Sequence, residues 1–144
     1  MKRNVVVSTE ASSDRLFEVV ADLATYPEWL DIVSSVDVAE PHPDDAGPAW
    51  FITLRAQIGR FARSKRLRIV RVESDPGVAA TFARRERDDR EHSDWDMVAL
   101  VSPTETGSKL TLDLAYSGRL WSNVLDALLI AQCVVGLTNQ FCPA

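Results

Sequence analysis

Apolar residues near the start of the chain change from an alternating to a helical spacing. Val5 and Val7 lie two apart in a short run of valines, which predicts a first strand. The segment 12–14, Ser-Ser-Asp, offers N-cap residues for a helix, and apolar residues at helical spacing follow it. Proline disfavours a helical residue before it, so Tyr26-Pro27 is expected to end this helix and Pro27 to begin a second short one.

From Ser35 onward the apolar residues alternate with a period of two, which predicts β-strands. The clearest segment is 50–58, where Trp50, Ile52 and Leu54 share one face. Gly- or Asp-containing turns separate the later alternating segments at 59, 75–77, 88–90 and 106–107. We therefore expect a meander of about six antiparallel strands after the two helices.

A long helix is expected at the end of the sequence, from about Arg119 to Phe141. It follows the break at Ser117-Gly118 and is apolar on more than one side, Leu125 and Leu128 included. Such a helix must be covered by other parts of the protein.

Composition favours one domain with a buried core, because 46% of the 144 residues are hydrophobic. The formal net charge is −5, but residues 60–71 contain six Lys or Arg and Phe61 as the only aromatic residue. Single-stranded nucleic acid sites combine cations with several stacking aromatics. We interpret this segment as a solvated sheet face and expect no nucleic-acid partner.

Neither membrane insertion nor export is expected from the sequence. The longest uncharged stretch, 127–144, is interrupted by polar residues, and a bilayer span needs about 20 mostly apolar ones. The apolar run near the N-terminus is too short for a signal-peptide core. These features predict a cytoplasmic protein without stable membrane insertion.

Cysteine and histidine are too few and too scattered to assemble a familiar site. On one helix Cys133 and Cys142 would lie roughly 13 Å apart, beyond disulfide reach. His42 and His92 have no metal-ligand spacing with them, so we expect neither a metal nor another cofactor. No nucleophile, base and orienting residue can be placed together, and catalytic residues are not assigned.

Two segments resemble motifs of a known superfamily, and the order of the elements agrees. Residues 22–29 (DLATYPEW) are similar to a D-x-x-x-(Y/W)-P-x-(W/L) segment, and Trp95 followed by 107–111 (GSKLT) resembles a W…G-T-x-L-T pair of late strands. Both are features of the polyketide cyclase/dehydrase and lipid-transfer superfamily, also called START-like, helix-grip or SRPBCC. The resemblance implies an α+β fold in which a curved antiparallel sheet of six to seven strands wraps around a long C-terminal helix. Residues 1–144 would then form a single START-like ligand-binding domain.

The resemblance also implies an apolar cavity between sheet and helix, and the inward positions of the predicted strands supply its walls. One arginine of Arg63, Arg66, Arg68 or Arg84 could enter it, and Arg68 is chosen. His92 and Asp94 could form an acid/base pair, but a solvated surface position is the stronger interpretation. The candidate ligand-binding residues are Tyr26, Trp29, Trp50, Ile52, Leu54, Arg68, Phe82, Trp95, Met97, Leu112, Tyr116, Leu125 and Leu128.

Two functions from different classes are compatible with such a cavity. The first is a module that binds a hydrophobic small molecule such as a lipid, a fatty acid or a polycyclic aromatic polyketide. The alternative is a polyketide cyclase, aromatase or dehydratase in which the same cavity holds a reactive chain. We favour the non-enzymatic function because no preorganised polar group stands out. The expected partner is the hydrophobic ligand, with a weak homodimer kept as a further option.

Overall fold

A single antiparallel sheet dominates the computed structural model, which describes residues 2–30, 32–58 and 60–117. The predicted α+β class is confirmed, and the curved sheet has seven strands, the upper end of the predicted six to seven. The strands lie in the order β1-β7-β6-β5-β4-β3-β2, so only β1 leaves the meander order. Their bounds are β1 Lys2–Thr9, β2 Val33–Val38, β3 Ala49–Ile58, β4 Phe61–Asp75, β5 Ala79–Arg84, β6 Trp95–Pro103 and β7 Ser108–Tyr116.

Two short helices connect β1 to β2, as expected. Helix α1, Ser13–Val20, begins after Ser12, whose side chain accepts a hydrogen bond from the backbone N–H of Arg15 at 3.3 Å. Its buried residues Leu16 and Val20 are four positions apart, which places both on the sheet side of the helix.

The second helix differs from the prediction in its start. It is a 3₁₀ helix, Leu23–Glu28, that contains Pro27 instead of beginning there. The Asp22 side chain accepts a hydrogen bond from the backbone N–H of Ala24 at 3.0 Å. This N-cap starts the helix at Leu23, four residues before Pro27. Pro27 has no backbone N–H to donate, but in so short a 3₁₀ helix this removes little of the hydrogen bonding.

Alternating residues of the strands form a concave face, whose side chains make the main hydrophobic core together with those of the helices. On the opposite, convex face the residues 39–49 cover part of β4, and Val70 is completely buried there against Ala39 and Ala49. The sheet is thus buried on both sides here.

The predicted C-terminal helix, with Leu125 and Leu128, lies outside the described residues. Among the residues that the structure does describe, no helix is long and apolar enough to cross a membrane.

Candidate functional site

The concave face is a continuous apolar surface across five neighbouring strands. In the register of the sheet Ile52 of β3 lies opposite Leu67 of β4, and Phe82 of β5 lies opposite Met97 of β6. Directly opposite residues in antiparallel strands point to the same side of the sheet, so these side chains share the concave face. The predicted wall residues that the structure brings together here are Trp50, Ile52, Leu54, Phe82, Trp95, Met97, Leu112 and Tyr116.

Aromatic rings are a prominent part of this face. The rings of Trp50 and Phe82 have centroids 6.1 Å apart at an interplanar angle of 55°, a tilted contact. Trp95 lies opposite Tyr116 near one end of the strands and is only partly buried, whereas Tyr116 is buried. Trp95 is therefore the wall residue best placed to touch a ligand without a change in the core.

Tyr26 and Trp29 of the 3₁₀ helix belong to the core. Their ring centroids are 4.4 Å apart, and the two residues are 3% and 2% exposed. The Tyr26 hydroxyl donates a hydrogen bond to the backbone carbonyl of Val20 at 2.8 Å, which ties the 3₁₀ helix to the end of α1. Both residues therefore fix the helices against the sheet.

Arg68 lies on the convex face and points away from the concave one. Its guanidinium group forms a bidentate ion pair with Asp45, with N···O distances of 2.9 and 2.7 Å, and donates to the carbonyl of Glu40 at 2.9 Å. The residue is 4% exposed. The prediction that Arg68 contacts a ligand on the concave face is therefore wrong. Alternate residues of β4 point to opposite faces, and the segment that contains Asp45 covers the convex face around Arg68.

The pKa shifts of Arg68 and Asp45 indicate that their ion pair stabilises the fold. The hydrogen bond from Arg68, aided by one from Arg87 at 2.8 Å, holds the pKa of Asp45 well below its ordinary value despite burial. The same bond to Asp45 raises the pKa of Arg68. Both groups are therefore charged at neutral pH, and the pair pins residues 40–45 to the sheet.

The strand register turns Arg84 toward the concave face, opposite Ile69, as it does Arg71, opposite Phe82, and Arg63, opposite Ala56. The Arg84 Nε donates to the Glu86 carboxylate at 3.0 Å and one terminal nitrogen to the Ser93 hydroxyl at 3.1 Å. The side chain is 7% exposed. Arg84 was among the alternatives from the sequence, and it takes the position that Arg68 was expected to fill. Arg66 lies outside, over the ring of Phe51 at 4.5 Å.

Lys65 is a further cation on this face, and sequence reasoning missed it. It lies opposite Leu54, and its Nζ donates to the Ser93 hydroxyl at 3.1 Å. Partial burial, reinforced by the charge of Arg84 and opposed by that of Glu86, lowers the pKa of Lys65. Its position two residues before Leu67 in a period-two pattern was the available signal.

A small cavity of about 20 Å³ lies beside Lys65. That volume is enough for about one water molecule. The described residues around it combine apolar walls with a polar end, and they are Leu54, Lys65, Leu67, Ser93, Asp94, Trp95, Tyr116 and Ser117.

His92 lies in the segment before β6 and not on the strand, so it does not share a strand face with Asp94. Its Nε2 is 2.9 Å from Asp88, its Nδ1 is 3.3 Å from Arg84, and the residue is exposed. The hydrogen bond to His92 lowers the pKa of Asp88. The possible ligand atoms of Glu86, Asp88 and His92 lie within 4.8 Å of one another, but the Arg84 guanidinium contacts two of them and opposes a bound cation.

Comparison with known proteins agrees with the fold described above. The family described as polyketide cyclase / dehydrase and lipid transport matches residues 9–131. No curated protein matches the chain in sequence.

Solved structures match the fold along nearly the whole chain. A protein from Chromobacterium violaceum matches with a TM-score of 0.73 and 16% identity over 99% of this chain and 98% of that one. A START superfamily protein from Mycobacterium smegmatis matches with a TM-score of 0.67 and 15% identity over 99% and 98%. The di-domain ARO/CYC StfQ from the steffimycin biosynthetic pathway matches with a TM-score of 0.66 and 14% identity over 94% of this chain and 48% of that one. At these identities the likeness concerns the fold.

Proposed function

This chain belongs to the polyketide cyclase/dehydrase and lipid transport family, and from that premise we propose that it binds a hydrophobic small molecule on the concave face of its sheet. The observation that carries the proposal is the continuous apolar face formed by β3 to β7, with aromatic rings from four of those strands. Residues 1–144 act as one START-like domain in this proposal.

The energy available from such a face is adequate for a carrier or sequestering protein. Burying roughly 300 Å² of apolar ligand surface at about 25 cal/mol per Å² supplies near 7 kcal/mol before the costs of association. Micromolar affinity is therefore the expected upper limit. The ligand class is a lipid, a fatty acid or a polycyclic aromatic molecule.

Native mass spectrometry of the purified protein tests the proposal directly by looking for a co-purifying hydrophobic molecule. The second measurement is tryptophan fluorescence during titration with 2-acetylnaphthalene and with decanoate, because Trp50 and Trp95 lie on the proposed surface. A saturable change supports binding. No co-purified molecule, together with no saturable response up to the solubility limit of either probe, contradicts it.

A matched pair of variants locates the site. Trp95→Ala is expected to weaken binding by about 1 to 3 kcal/mol through lost apolar contact. Leu100→Ala is the control, because Leu100 is on the same strand but an odd number of residues away, on the convex face, and is 37% exposed. Equal losses of affinity in the two variants would place the ligand elsewhere.

A cyclase or dehydratase remains the second candidate, and two of the cations on the concave face, Lys65 and Arg84, favour it. A cation beside an apolar wall can polarise a carbonyl group and stabilise the enolate that forms during ring closure. Arg84→Met should then abolish turnover of a poly-β-ketone substrate while binding persists, and His92→Ala should leave turnover unchanged. Absence of turnover in the wild-type protein would leave the binding function as the better proposal.

Two further expectations accompany the proposal. We retain a cytoplasmic location, and we retain a weak homodimer. Sedimentation velocity over a range of concentrations tests the dimer, since a sedimentation coefficient independent of concentration contradicts it.

A further inference from the structure

Lys65 is a cation on an apolar surface, and no carboxylate of the described residues forms an ion pair with it. Its register opposite Leu54 turns it to the concave face, where Leu67 is its neighbour on β4. Within the part of the chain that the structure describes, no acidic group lies within ion-pair distance of its Nζ. A partly buried ammonium group of this kind is stabilised by any anion that can reach it.

The Ser93 hydroxyl group can donate a hydrogen bond to a ligand beside Lys65. Its hydroxyl oxygen receives hydrogen bonds from Lys65 Nζ and from the Arg84 terminal nitrogen, both at 3.1 Å. A hydroxyl group has two lone pairs and one proton, so an oxygen that accepts twice still has its O–H to donate. Lys65 likewise retains N–H groups beyond the one given to Ser93.

Among the described residues that line the cavity, Lys65 is the cation available to a ligand. Arg84 is already paired with Glu86, which cancels one positive charge against one negative charge. Asp94 borders the same cavity but is an exposed residue, so solvent screens its charge. The cavity itself has room for about one water molecule, which is also the size of one carboxylate oxygen.

We propose that Lys65 and Ser93 bind the carboxylate of an apolar acid whose hydrocarbon part lies on the concave face against Leu54, Trp95 and Tyr116. This inference rests on the proposed binding function and specifies the ligand class as hydrophobic carboxylic acids. Lys65 supplies the charge, Ser93 supplies a hydroxyl donor, and Arg84 holds the Ser93 side chain in place.

The test compares 2-naphthoate with 2-naphthamide by isothermal titration calorimetry, because the two probes differ in charge while their size is nearly the same. Decanoate and 1-decanol form a second pair for an aliphatic site. The variants are Lys65→Met, which removes the charge, and Lys65→Arg, which keeps it. Lys109→Met is the matched control, since Lys109 is an exposed lysine on β7 at a position that points to the convex face.

The wild-type protein and Lys109→Met are expected to bind 2-naphthoate about tenfold more tightly than 2-naphthamide, and Lys65→Arg should keep most of that preference. In Lys65→Met the preference should disappear while the affinity for the amide stays the same. Circular dichroism melting curves check that each variant is folded.

Two results overturn the inference in distinguishable ways. If the wild-type protein binds acid and neutral probe equally, or if Lys65→Met keeps the preference, the carboxylate site is wrong and the hydrophobic binding function stands. If the wild-type protein binds neither member of either pair, the proposed function fails and the carboxylate site fails with it.

Discussion

Removing the guanidinium group of Arg68 is expected to lower the free energy of unfolding without affecting ligand binding. Arg68→Met keeps much of the side-chain volume but leaves the Asp45 carboxylate, whose side chain is 3% exposed, with Arg87 as its remaining described cation. It also leaves the Glu40 carbonyl without the donor that it has in the folded protein. A buried charge that loses its partner is costly because it can neither return to water nor find a replacement.

The magnitude follows from these contacts. Breaking a buried ion pair on one side costs about 3 to 5 kcal/mol. Because Arg87 still contacts Asp45 at 2.8 Å, we expect the lower end, about 3 kcal/mol. Urea denaturation followed by circular dichroism measures the free energy of unfolding of both proteins.

Arg66→Met is the control on the same strand and the same face. Arg66 is 3.8 Å from Asp37, but their side chains are 57% and 65% exposed, so this pair should contribute less than about 1 kcal/mol. A loss below about 1 kcal/mol in Arg68→Met, or equal losses in the two variants, would refute the structural role of the buried pair. Loss of ligand affinity in folded Arg68→Met would refute its separation from the concave face.

Three further predictions concern stability. Asp45 has a depressed pKa in the folded state, so its stabilising contribution is complete above the ordinary carboxyl pKa of about 4 and is lost as the pH falls below it; urea titrations at several pH values should show this loss in the wild-type protein and a smaller one in Asp45→Asn. Trp29→Ala should reduce the free energy of unfolding by about 3 to 5 kcal/mol, because the 2% exposed indole leaves a cavity, and an unchanged urea midpoint would contradict its place in the core. Gly107→Ala should cost about 2 kcal/mol and lower the melting temperature, because its Cβ would lie 2.6 Å from Glu10 Cα and collide with the Thr9 carbonyl oxygen; an unchanged melting temperature would refute this close approach.

The fold was largely predictable because its strands are separated by strong turn residues and their apolar positions alternate. The turn at 75–77 is an example, since Gly77 has a φ of 79°, a conformation that favours glycine. The concave face was predictable for the same reason, and Trp50, Phe82 and Tyr116 all point as their periodicity indicated.

The polar part of the site could not be predicted, because β4 carries cations on both of its faces. Lys65 and Arg68 differ by an odd number of positions and so point to opposite sides, yet both lie in one basic run. Only Leu67 and Ile69 indicate which side is concave, and Val70 is buried on the other side by residues 39–49. That covering depends on Asp45, a contact between distant residues that local periodicity does not contain.

Pairing of the first strand with the last described strand has a consequence for how the protein is made. Lys2 lies opposite Ala115 and Thr9 opposite Ser108, so every contact of β1 with its partner strand spans about a hundred residues of chain. The strands β2 to β6 can pair in sequence as they leave the ribosome, whereas β1 waits until β7 has been synthesised. Closure of so long a loop is entropically slow. Until then the edges of β6 and β1 that will pair with β7 are available to other chains. This interval is when a nascent chain most needs protection from aggregation.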